Sequence, residues 1–177
     1  MRGNPFPAGD GRTSRLPDGT PVSWRFVLPS DRPQLVAGLR RLSSRSRYQR
    51  FHTATGQLPP AVWDRLLGSI DQDRHLAILV FVEDEPVAGG HLLRDKTDPS
   101  RADVAVTVAD EWQGRGVGTV TLNQLLNLAD DVDVIDTYVL ADNHAALRVL
   151  SRLGPMSTDY SLGQCHVTVE VRSAQAA

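Results

Sequence analysis

The chain has 177 residues and a formal net charge of −2, with 19 Lys and Arg against 21 Asp and Glu. That length suits one domain with a core of its own, and the near balance of charge argues against nucleic acid or an anionic membrane as the main partner. The single cysteine, Cys165, allows no internal disulfide and fits a reducing compartment, so the cytoplasm is the expected setting; no apolar run reaches the ~18 residues of a membrane span.

Residues 1–19 are rich in Gly, Pro, Arg and Ser, with almost nothing to bury, and read as a loosely attached leader. The domain is expected over residues 20–173, with a short tail at 174–177. "PVSWRFVL" alternates Val22, Trp24 and Phe26 with Ser23 and Arg25, the period of a half-buried strand. "PSDRPQLVAGLRRL" follows as a helix, with Ser30 or Asp31 at its cap, Pro33 in its first turn and Leu35, Leu39 and Leu42 on one face. "SSRSRYQRFHT" predicts a short helix dense in Arg45, Arg47 and Arg50. "PPAVWDRLLGSI" predicts another. "HLAILVFVE" is a nearly continuous apolar strand, and the turn "DEP" joins it to "VAGGHLLR" as a hairpin.

"ADVAVTVAD" is a strand with Val104, Val106 and Val108 on one face. Three glycines in five residues then run into a helix whose stripe is Leu122, Leu125, Leu126 and Ala129. "VIDTYVL" is a strand, "ADNHAALRVLSRLG" a helix capped by Asp142 or Asn143 and ended by Gly154, and "CHVTVEVR" a closing strand. The order predicts one mixed α/β domain.

The glycine loop carries the chemistry. A dinucleotide fingerprint would need a third glycine where Thr119 stands, and a P-loop would need Gly-Lys-Ser/Thr where Gly118, Thr119 and Val120 stand. The loop could be a tight turn only. Its alternative is an anion cradle: successive N–H groups at the positive end of a helix, with no Cβ to hold a pyrophosphate away.

Gln113, Gly116 and Gly118 spell Gln-x-x-Gly-x-Gly, which resembles the acetyl-CoA signature of the GNAT N-acetyltransferases. The preceding strand, the phrase "DEWQGRGVGTVTLNQLLNLA" and the later "VLADNHAALRVLSRLG" resemble the same family in the same order, from about Val22 to Val171. "LSSRSRYQRF" is similar to phrases in GNAT domains of bacterial protein lysine acetyltransferases. The resemblance implies a GNAT fold: a mixed sheet of about six to seven strands flanked by helices, with two strands splayed at the cofactor site.

It also implies roles. Val106 and Val108 would pair with the pantetheine. Gln113, Gly114, Arg115, Gly116, Val117, Gly118 and Thr119 would hold the pyrophosphate. Asn143 matches a position near the cofactor. Asp103 stands where the lysine acetyltransferases place a glutamate base, and is expected to take the acceptor's proton, through a water. Leu150 stands where many relatives place an acidic tyrosine, and Gly154-Pro155 where they place Gly-Phe. The expected activity is acetyl transfer from acetyl-CoA to a primary amine by direct attack in a ternary complex. The rivals are an acyl-CoA sensor without turnover and an enzyme for a longer acyl-CoA. A homodimer is compatible with relatives of this kind. Some relatives carry an additional nucleotide-binding domain, for which 177 residues leave no room, so regulation of that sort is not expected.

His52, His75, His91, His144 and His166 show no metal spacing, so no metal is expected; His91 is a second candidate base. The cluster Arg45, Arg47, Tyr48, Arg50 reads as a solvated helix face, or as a lid favouring carboxylate-bearing acceptors. Trp24, Trp63, Trp112 and Cys165 read as packing residues.

Overall fold

The computed structural model describes residues 12–51 and 57–171. In chain order the elements are β1 (Thr13–Arg15), β2 (Pro21–Phe26), α1 (Arg32–Arg41), α2 (Ser44–Phe51), α3 (Pro60–Gly68), β3 (His75–Val82), β4 (Glu85–Arg94), β5 (Arg101–Val108), α4 (Val117–Leu128), β6 (Val134–Leu140), α5 (His144–Leu150), β7 (Met156–Ser161) and β8 (Gln164–Glu170). The strands form one open sheet in the order β1-β2-β3-β4-β5-β6-β8-β7. Every pairing is antiparallel except β5 with β6. The α/β class is as expected, with eight strands where six to seven were counted.

Strand β3 shows why its sequence is apolar throughout. Side chains alternate between the two faces of a strand. Leu76, Ile78 and Val80 enter the main core, which also holds Leu122, Leu125 and Leu126 of α4. Ala77 and Leu79 enter a second cluster with Leu35 of α1 and Leu67 of α3. Both faces are covered, so neither register position can be polar. Gly90 on β4 is the close approach to α4: a Cβ there would lie 2.8 Å from Thr121 and 3.0 Å from Leu125.

Three expectations shift. Residues 1–11 of the expected leader, His52 and the tail 174–177 lie outside the described residues. The rest of the leader is part of the domain: β1 pairs with β2, and Leu16 is 3% exposed within the main core. A three-residue edge strand of Thr, Ser and Arg, followed by one buried Leu16, has too little pattern to be read from sequence. Strand β7 was also missed, because "MSTDYS" is a mostly exposed edge with no apolar alternation. Its turn to β8 is Leu162-Gly163, both at positive φ (49° and 78°), the conformation of a two-residue hairpin. Finally, α5 ends at Leu150, and Leu153 reaches the core from the following turn. Gly154 does end that segment, because a Cβ there would collide with the Glu170 carbonyl oxygen.

The feature that matters most lies between β5 and β6. They pair only at Arg101 with Val134 and Ala102 with Ile135, although the strands continue to Val108 and Leu140. Beyond that point the two strands part.

Candidate active site

The glycine loop joins the end of β5 to α4. Gly114 (φ 75°) and Gly116 (φ 90°) are left-handed, a conformation that favours glycine. Gly116 is the N-cap of α4 and brings no side chain to it; its carbonyl accepts from Val120. The N–H groups of Val117, Gly118 and Thr119 therefore open the helix without a side-chain acceptor, at the positive end of its dipole. A Cβ at Gly118 would make ordinary contact, 3.6 Å from Val108, whereas one at Gly116 would press on Pro17 at 2.7 Å. The N-terminal segment thus seats against the loop, and Gly116 is required by the fold itself.

Two expected binding side chains are engaged elsewhere. Gln113 donates to the Val108 carbonyl (3.2 Å), Asp110 Oδ1 (3.0 Å) and Ser46 Oγ (3.1 Å). It ties the loop to β5 and α2. Arg115 pairs with Asp18 at 2.8 Å and lies over the Trp112 ring at 4.1 Å. Thr20, and after it Arg115, hold the Asp18 carboxyl well below the usual carboxylate range. Val117 sends its side chain into the core at 1% exposure, leaving only its N–H to the cleft.

Across the gap between β5 and β6, Thr137 Oγ1 donates to the Val104 carbonyl at 3.2 Å, and Arg101 on β5 pairs with Asp136 on β6. Val104 sends its carbonyl towards β6, as its partner Thr137 shows, and the Val108 carbonyl accepts from Gln113 of the loop instead of from a neighbouring strand. Backbone polar groups alternate along a strand, so Val106 between them also faces the gap. Gap and glycine loop open into one cleft of about 750 Å³, which takes in Asp103, Val106, Val108, Gly116, Gly118, Thr119 and Asn143. Asn143 caps α5, accepting from the Ala146 N–H at 3.2 Å.

At the inner end Asp103 is exposed on β5, opposite Leu93 of β4. Beside it runs a chain of hydrogen bonds. Ser69 Oγ donates to the Leu66 carbonyl (2.8 Å) and so accepts from His75 Nδ1 (3.0 Å). His75 Nε2 must then accept from His91 Nδ1 (3.1 Å), and His91 Nε2 must accept from Arg50 (2.8 Å). This assignment leaves both rings neutral. Burial first, then the Arg50 charge, pulls the His91 pKa down to about 3, and burial lowers that of His75. With both ring nitrogens engaged, His91 is a poor second base. Leu150 is 5% exposed in the core, and Cys165 is buried.

Of the basic cluster read as a solvated face or a lid, Arg50 lines the cleft; sequence reasoning missed Ser46, Gln49, Tyr138, Arg148 and Arg152 as cleft residues. Arg148 and Arg152 stand one turn apart along and just beyond α5, which was legible once that helix was placed. The α2 residues reach the cleft by long-range packing that no local pattern encodes. Tyr138, 66% exposed, stacks on His166 at 4.6 Å, and Asp136 holds His166 and Arg101. Among the described residues no helix is long and apolar enough to cross a membrane.

Residues 37–154 match the model of the acetyltransferase (GNAT) family. The chain is 30% identical over 152 residues to acetyltransferase Pat of Mycolicibacterium smegmatis, covering 83% of this chain and 45% of that protein. It is also 30% identical over 124 residues to an acetyltransferase of Pseudomonas aeruginosa, covering 68% of this chain and 66% of that one. The chain therefore spans about half to two thirds of the length of these curated relatives. Among solved structures, the GNAT domain of S. lividans PAT superposes with a TM-score of 0.81 at 22% identity, over 93% of this chain and 99% of that one. A cAMP-binding acyltransferase from Mycobacterium smegmatis gives 0.62 at 23% identity, over 90% of this chain and 46% of that one. At these identities the superpositions bear on the fold alone.

Proposed function

The chain belongs to the acetyltransferase (GNAT) family, and on that premise we propose that it transfers an acetyl group from acetyl-CoA to a primary amine, of a protein lysine or a small molecule, by direct attack in a ternary complex. One observation carries the reading: the uncapped glycine-loop helix, the exposed edge of β5 and the Asp103 carboxylate share a single cleft.

In this reading the N–H groups of Val117, Gly118 and Thr119 receive the pyrophosphate, with Gly114 leaving the approach open. Gln113 shapes the loop, and Arg115 braces it against Asp18. Arg148 and Arg152 add positive charge on the opposite wall. Val106 and Val108 offer backbone groups to the pantetheine arm and lay it along β5. Asn143 fixes where α5 starts and hence where its residues meet the coenzyme.

The acceptor amine has a reference pKa of ~10.4 and must lose a proton before it attacks. Asp103 takes that proton through a water. The Val106 N–H steadies the thioester oxygen as negative charge gathers on it. The thiolate, of reference pKa ~8.5, leaves without help from position 150, which is buried and apolar. The exposed setting of Asp103 and the buried Leu150 favour one second reading, an acyl-CoA sensor with little turnover. Free-thiol release from acetyl-CoA with a panel of peptides, polyamines and aminoglycosides separates the two. Release with any amine supports the transferase. Calorimetric binding of acetyl-CoA with no release across the panel supports the sensor.

A further inference from the structure

The hydrogen-bond chain beside Asp103 ends on the guanidinium of Arg50. Arg50 comes from α2 and lines the same cleft as Asp103. It donates to His91, and no ion pair within 4 Å joins it to an acidic residue among the described residues. Arg148 and Arg152 also line the cleft, but Arg50 is the arginine there that a neutral imidazole holds in place and that stands within electrostatic reach of Asp103. Asp103 is near enough to act on Arg50 electrostatically, though not to bond it.

The chain behind Arg50 has one self-consistent proton arrangement. It is anchored at the Leu66 backbone carbonyl and passes through Ser69, His75 and His91. Each imidazole uses one nitrogen as donor and one as acceptor, so the last acceptor in the chain faces Arg50. A neutral imidazole orients a guanidinium without cancelling its charge. The Arg50 guanidinium also lies over the Phe51 ring, its carbon 4.9 Å from the ring centre. Arginine has five N–H donors, and its planar fork matches the two oxygens of a carboxylate.

We propose that Arg50 recognises a carboxylate on the acceptor, so that the substrate is an amine bearing a carboxylate group, its amine turned to Asp103 and its carboxylate to Arg50. The proposal rests on the acetyl-transfer reading and names the acceptor class of that site. The His91–His75–Ser69 chain acts as a positioning device for Arg50.

The test uses matched amines that differ by the carboxylate: lysine against cadaverine, β-alanine against ethylamine, and 6-aminohexanoate against pentylamine. Thiol release gives kcat/KM for each, and calorimetry on the protein saturated with coenzyme A gives binding without turnover. In at least one pair the carboxylate-bearing member is favoured about tenfold or more, the scale of a hydrogen bond to a charged group. Arg50→Gln collapses that ratio towards one, and Arg50→Lys, which keeps the charge, retains part of it. Equal kcat/KM within all three pairs, or a ratio untouched by Arg50→Gln, overturns the proposal. If no amine releases thiol, the transferase reading falls. The calorimetric preference then still decides on Arg50: a preference lost in the glutamine variant supports its role, and no preference overturns it.

Discussion

The buried pair of histidines predicts how stability responds to acid. His91 is neutral in the fold with a pKa of about 3, against 6.5 for a free imidazole. Between those values the unfolded chain binds a proton that the folded chain refuses, so stability is full above pH 6.5 and falls as pH drops towards 3. For one such group the loss between pH 7.5 and pH 5.0 is about 2 kcal/mol, since each pH unit below 6.5 costs about 1.4 kcal/mol. His75, also shifted down, adds loss in the same direction. His91→Gln removes the proton site while its amide can still accept from Arg50 and donate to His75. That variant is less stable than the natural protein at pH 7.5, where a fitted imidazole has been replaced. The gap then narrows by about 2 kcal/mol on going to pH 5.0. Urea unfolding followed by circular dichroism at pH 7.5, 6.5, 5.5 and 5.0 measures both curves. The carboxyls held low, such as Asp18 and Asp136, lose their contribution only at more acid pH and leave this window clear. Parallel curves for the two proteins refute the reasoning, because they mean that His91 titrates alike in the folded and unfolded chains.

Asp103→Asn should lower the rate of thiol release by ~10²-fold or more while leaving the calorimetric affinity for acetyl-CoA level; an unaltered rate removes Asp103 from the role of base. Gly118→Ala is the discriminating test of the glycine cradle. The fold has room for the methyl, 3.6 Å from Val108, and helix propensity gains up to about 1 kcal/mol, so thermal stability holds or rises. Acetyl-CoA affinity should nevertheless fall about tenfold or more as the methyl meets the phosphates, and normal affinity would count against placing the pyrophosphate there. Variants at Gly116 cannot make this separation, because Pro17 and the positive φ already require glycine.

What was legible in the sequence follows from where the determinants lie. The glycine loop, its helix and the two strands beside it were readable because periodicity, capping and backbone freedom are local properties. Asp142 and Asn143 were both cap candidates by type and position, and Asn143 is the one that caps α5. The edge strands β1 and β7 were not readable, because a strand with one face in solvent and few apolar residues looks like a loop. Arg115 had the right charge beside the loop, but its side chain turns to Asp18, 97 positions away. Nothing near Arg115 in the chain encodes that partner. Arg50 was visible only as part of a basic cluster. Its distinction from Arg45 and Arg47 depends on His91, 41 residues on in β4. Sequence reading found the glycine-loop side of the cleft from local signals and missed most of the side around Arg50 and His91, which is assembled from α2, α3, β3, β4 and β5 by packing.

Where β5 parts from β6 above Ala102, a buried hydroxyl still ties them, Thr137 bonded to the Val104 carbonyl. A seam fastened by a side chain differs from one fastened by backbone. Backbone rungs form along a strand whatever its side chains, whereas this bond is removed by a single residue change, Thr137→Val, that leaves the backbone as it is. Position 137 is therefore the place where the width of the gap can be changed while the eight-strand scaffold stays in place.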